Sequence, residues 1–80
     1  MSTSAVRMDP TAVDVTVSDV ALHVVLADGR EVAVPLVWFP RLHGATPAQR
    51  AHWRLIGRGE GIHWPDVDED ILVSGLLRVA

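Results

Sequence analysis

The stretch "VALHVVLADGREVAVPL", residues 20–36, decides the fold. Side chains alternate along an extended chain, so Leu22, Val24 and Leu26 face one way and His23 and Val25 the other. Val32 and Val34 continue the apolar face beyond a turn at Asp28-Gly29, where glycine supplies the positive φ that hairpins need. Pro35 has no N–H to give to a ladder, so this strand is expected to end there or to lie at an edge. Upstream, "VDVTV" (13–17) alternates in the same way and reads as another strand. Together these three N-terminal strands predict an antiparallel β-meander.

Downstream the pattern changes. "LVWFPRL" (36–42) places a proline inside an apolar cluster and predicts a short helical turn packed on the sheet. "ATPAQR" carries a helix start: Thr46 as N-cap, Pro47 at the first helical position and Gln49 completing a capping box. Two readings of the end of this helix stay open. It continues to Gly57 with Ala48, Ala51, Leu55 and Ile56 on one face, or it stops near His52 and "WRLI" becomes a strand; the second is preferred. "GRGEG" then leads into a strand at "IHW", "DVDED" forms a charged turn, and "ILVSGLL" gives a last strand-like run with a terminal turn of helix. The fold class is α+β: the meander, one or two short helices on one side, and further short strands toward the C-terminus.

Eighty residues make one domain, read as a flexible N-terminal lead-in at 1–11 and a single α+β domain at 12–80. A chain of this size buries only about 60% of its unfolded surface, so oligomerisation would help it. The hydrophobic fraction of 49% excludes a disordered chain, and the absence of cysteine excludes disulfides and thiolate metal sites. No apolar run reaches the length of a membrane span and no signal-peptide core is present, so no membrane is expected and the expected location is cytoplasmic.

Charge is distributed in blocks. No acid lies between Glu31 and Glu60, a gap that holds Arg41, Arg50, Arg54 and Arg58 with His43 and His52. Residues 60–70 then hold five acids and no arginine. On a continuous helix Arg50 and Arg54 would share a face. The blocks could neutralise each other within the fold, between subunits or with a partner.

The stretch "GIHWPDVDED" (61–70) invites a metal or catalytic reading, which the spacing does not support. Asp66, Asp68 and Asp70 match the first ligands of a calcium loop, but Ile71 stands where glycine is needed and Leu77 where the closing carboxylate is needed. His63 with Asp66 or Asp68 would need a third ligand from His43 or His52, and nothing in the spacing requires it. Ser2, Ser4, Ser18 and Ser74 lie in no nucleophile motif, and Gly57, Gly59 and Gly61 fall short of a dinucleotide fingerprint. No enzyme activity, metal site or cofactor is expected. Four arginines with Trp53 could contact nucleic acid, but the net charge of −3 and the adjoining acidic block oppose it.

The pattern "LADGREVAVPLVWFPRL…ATPAQRAHWRLIGRGEGIHWPDVDEDILVSGLL" resembles the bacterial domain-of-unknown-function family DUF2442 over residues 13–78. The resemblance implies a small α+β domain and a short helix from 47 followed by a strand. It implies no catalytic residues. Members are often the smaller partner in two-gene operons beside a toxin-like protein. Some carry an added helix-turn-helix, which is not read in these 80 residues.

The expectation is a non-enzymatic, antitoxin-like protein-interaction module with a cognate toxin-like partner. Trp38, Phe39, Arg41, Arg50, Trp53, Arg54 and Arg58 are its candidate partner-binding residues, and Asp66, Asp68, Glu69 and Asp70 its acidic face. Two alternatives stand beside it: a homodimeric nucleic-acid-associated transcriptional regulator, and a small-molecule or divalent-metal-binding domain.

Overall fold

The computed structural model describes residues 8–78. It contains two three-stranded antiparallel sheets. The N-terminal sheet is the meander β1 (Ala12–Val17), β2 (Ala21–Leu26) and β3 (Glu31–Pro35), in that order. A 3-10 turn, Leu36–Trp38, leads to two short helices, α1 (Pro40–His43) and α2 (Pro47–Ala51). The C-terminal sheet follows as β4 (Arg54–Ile56), β5 (Gly61–Trp64) and β6 (Glu69–Leu72), and α3 (Val73–Leu76) closes the order.

The central hairpin forms as the residues dictate. Leu22 pairs with Val34 and Val24 with Val32, which aligns the apolar face of β2 with that of β3. The turn is a three-residue loop: Gly29 donates to Leu26 O at 3.0 Å, Leu26 donates to Arg30 O at 2.8 Å, and Gly29 takes φ +94°. Asp28 holds this loop from within. Its carboxylate accepts the Arg30 backbone N–H at 3.0 Å and both the Nε and Nη2 of Arg30, and it accepts the Asp9 N–H at 2.9 Å. The Arg30 side-chain hydrogen bond leads in lowering the Asp28 pKa to about 2. Proline at 35 ends β3, which is an edge strand as expected.

Strict alternation would group Val13 with Val15 and Val17. A bulge changes this: Ala12 pairs with Leu26 but Asp14 already pairs with Val25, so Val13 is the extra residue and turns to solvent. Ala12 turns inward and donates to Gly59 O at 2.7 Å, which ties β1 to the β4–β5 turn. Gly59 permits this approach because it has no Cβ; one built there would lie 2.3 Å from Ala12 O. Of the lead-in expected at 1–11, residues 1–7 lie outside the described residues, while Asp9 and Thr11 are hydrogen-bonded, Asp9 N–H donating to Asp28 and Thr11 O accepting the Ala27 N–H at 2.8 Å.

Helix α2 begins with the full capping box: Gln49 N–H donates to Thr46 Oγ1 at 3.1 Å and Thr46 N–H to Gln49 Oε1 at 2.9 Å. It ends at Ala51 and the chain becomes a strand at Arg54, so the shorter-helix reading is the correct one. One core joins both sheets and the helices: Leu22, Val24 and Leu26 from the meander, Leu36 and Leu42 from the turn and α1, Ile62 and Trp64 from β5, and Val73 from α3. Each large side chain buried there contributes about 1.5–3 kcal/mol. Among the described residues, no helix is long and apolar enough to cross a membrane.

Candidate interaction surfaces

The first surface lies where the β1–β2 turn meets the 3-10 turn. Ser18 holds the β1–β2 turn: its Oγ accepts the N–H groups of Val20 and Ala21, at 3.2 and 3.1 Å. Leu36 N–H then donates to Val20 O at 2.9 Å, which sets Val20 beside the turn that carries Val37 and Trp38. Leu36 fills the core, while Val20, Val37 and Trp38 stay 76%, 63% and 65% exposed. Three exposed apolar residues on two adjoining turns make a candidate contact surface.

The second surface is the acidic turn between β5 and β6. Pro65 ends β5, and Asp68 adopts φ +52° to bring the chain back into β6. Asp66 and Asp68 lie in the turn, while Glu69 and Asp70 belong to β6. Arg41 crosses from α1, its Nη1 donating to Asp68 O at 2.6 Å and standing 3.9 Å from Glu69 Oε1. His52 Nδ1 lies 2.8 Å from Asp66 Oδ2, and His63 Nδ1 contacts Asp70 Oδ1. Arg41 stands near one of the four carboxylates at 66–70, that of Glu69, so by formal charge the turn stays negative.

The predicted partner-binding residues divide into three groups. Trp38 and Arg41 are exposed, as are Arg54 on β4 and Arg58 in the β4–β5 turn. Phe39 and Trp53 are half-buried and pack on the core. Arg50 departs from the expectation. It is only 8% exposed, and its guanidinium donates from Nε to Leu42 O at 2.9 Å, from Nη2 to His43 O at 2.8 Å and from Nη1 to Asp19 Oδ1 at 2.8 Å. These bonds serve the carbonyls that end α1. Arg50 is therefore a structural bracket and not an open contact for a partner. Its own carbonyl accepts the Trp64 Nε1–H at 3.0 Å, deep in the core.

Among the described residues the two charge blocks meet at Arg41, 3.9 Å from Glu69, and at His52, 2.8 Å from Asp66. Among the described residues, Arg54 and Arg58 form no ion pair. Val20 and Val37 were not singled out by sequence reasoning, because an exposed valine at the end of a strand-like run looks the same as a buried one. No group of three or more histidine and carboxylate side chains is placed to hold a metal ion among the described residues.

Similarity to other proteins agrees with the fold. A crystal structure of a protein of unknown function from Rhodospirillum rubrum ATCC 11170 is similar to this chain, with a TM-score of 0.71 and 29% identity over 84% of this chain and 83% of that one. No curated protein matches the sequence. The family model of the protein of unknown function DUF2442 matches residues 12–80, nearly the whole described region, and the chain belongs to that family.

Proposed function

We propose that this protein is a non-enzymatic protein-interaction module, the antitoxin-like member of a two-protein pair. The observation that carries the reading is the exposure of Val20, Val37 and Trp38 on two turns held by hydrogen bonds. Tryptophan on a pre-ordered turn gives a large contact area at little entropic cost, and such residues dominate binding energy at interfaces. The negative β5–β6 turn supports the same reading. It would steer a basic surface on the partner toward the domain, and it would cover that surface once bound. Inhibition would then be occlusion, with no covalent step.

Co-expression with the product of the adjacent gene tests this. The two proteins are expected to co-elute, and the chain is expected to relieve any growth arrest its neighbour causes. Trp38→Asp should weaken the complex at least about tenfold while leaving the fold intact. Absence of a complex, or a complex indifferent to Trp38→Asp, would refute the proposal.

A further inference from the structure

The outer face of the C-terminal sheet is ordered in two cross-strand rows. Arg54 pairs with His63 and His63 with Asp70; Ile56 pairs with Gly61 and Gly61 with Leu72. Residues two apart share a face, so both rows lie on the side opposite the core residues Ile62 and Ile71. One row runs from a cation through an imidazole to a carboxylate. The other holds Ile56, whose side chain lies over the buried Gly61, and Leu72. Leu72 is 67% exposed, and Arg54 and Asp70 are exposed on opposite edge strands. A groove of about 330 Å³ opens beside Leu72, lined by Pro10, Thr11, Glu60 and Ser74.

We propose that this face packs on the same face of a second copy of the chain, about a two-fold axis parallel to β5. Such an axis sets β4 of one copy opposite β6 of the other and keeps the rows level. Arg54 then meets Asp70 of the second copy, twice. Ile56 meets Leu72 of the second copy, also twice, with the groove beside Leu72 as the space it enters. Gly61 is buried beneath Ile56 and leaves the apolar contact to Ile56 and Leu72. An axis across the strands would instead lay charges on apolar groups, desolvating them without pairing. The surface is thus complementary to itself, which is the requirement of an isologous dimer. Sheets packed in this way lie about 10 Å apart. Three short strands offer an area at the low end of specific interfaces, so the dimer forms and dissociates with concentration. Trp38 lies outside this sheet, and the inference does not depend on the toxin-like partner.

Sedimentation of the full chain across a concentration series up to about 1 mM tests it. The wild type should show a monomer–dimer equilibrium. Arg54→Asp and Asp70→Arg should each weaken it at least about tenfold, because each sets like charges opposite one another. An equimolar mixture of the two should recover the dimer, since both contacts are then opposite in sign, one reversed and one as in the wild type. Asp70→Arg also gives up the contact with His63; Leu72→Gln leaves every ion pair in place and should weaken the dimer too. A wild type that stays monomeric would overturn the proposal. So would a dimer insensitive to these changes, or a mixture of folded variants no more dimeric than either alone.

Discussion

Replacement of Arg50 should destabilise this domain more than replacement of any other arginine. In Arg50→Ala two main-chain acceptors, Leu42 O and His43 O, lose charged donors that now stand 2.9 and 2.8 Å away. Leu42 O still accepts the Ala45 N–H at 3.1 Å, so the larger loss falls on His43 O. An acceptor left without its donor costs about 1–3 kcal/mol when buried and the lower end of that range when part-buried, as at His43 O. The packed stem of the side chain adds to this. The bond to Asp19 adds little, because the Asp19 side chain is 91% exposed and the pair is screened by solvent. The expected total is about 3 kcal/mol, which lowers the melting temperature of a domain this size by about 12–24 °C. Arg50→Lys keeps a positive charge near Asp19 but loses the planar fork that reaches both carbonyls, and should cost about half as much. Asp19→Asn should cost under about 1 kcal/mol. Thermal and denaturant unfolding, followed by circular dichroism and tryptophan fluorescence, measure all three. An Arg50→Ala variant no less stable than Asp19→Asn would show that Arg50 acts as an ordinary surface charge, and the reasoning would fail.

Other perturbations separate the turns. Gly59→Ala should destabilise by more than about 2 kcal/mol or prevent folding, since its Cβ would collide with Ala12 O and its φ is +89°. Gly29→Ala, with φ +94° and nothing within 4 Å of its added Cβ, should cost only about 1–2 kcal/mol, and equal losses at the two glycines would count against the close approach of β1. Thr46→Ala removes one half of the capping box and should cost about 1 kcal/mol by denaturant unfolding. Asp28 has a folded pKa lowered to about 2 from the usual 3.8, so its stabilising contribution is complete above about 3.8 and is lost as pH falls through about 2. Asp28→Asn should therefore be less stable than wild type at neutral pH and approach it in acid; a constant difference across that window would refute the assignment.

The meander was legible because three local signals agree within seventeen residues: alternation in β2 and β3, a glycine where the turn needs positive φ, and a proline at the edge. The bulge in β1 was not legible. It arises from a partner 47 residues away, Gly59, whose missing Cβ lets Ala12 turn inward and forces Val13 out. Nothing near Val13 marks it, and the alternating pattern of 13–17 points the other way. The division of six strands into two sheets was hidden for a similar reason. Short strands carry too few residues for their periodicity to name a neighbour, and the pairing is decided by which turns are tight.

The arginines show the limit most clearly. Arg50 and Arg54 would share a face if the helix continued, and the sequence makes them look alike. The helix stops at Ala51 and the chain becomes extended by Arg54, so the geometry that relates them changes between the two. Arg50, still on the helix, turns back toward the carbonyls at the end of α1 and is consumed there. Arg54, on an edge strand, faces outward in a row with His63 and Asp70 and stays unpaired among the described residues. A block of like charge in sequence thus resolves into one buried structural cation at Arg50, an exposed one that braces the acidic turn at Arg41, and two exposed and unpaired among the described residues at Arg54 and Arg58. Only the exposed members can recognise a partner. The cationic surface left open follows from where the helix ends and not from the number of arginines.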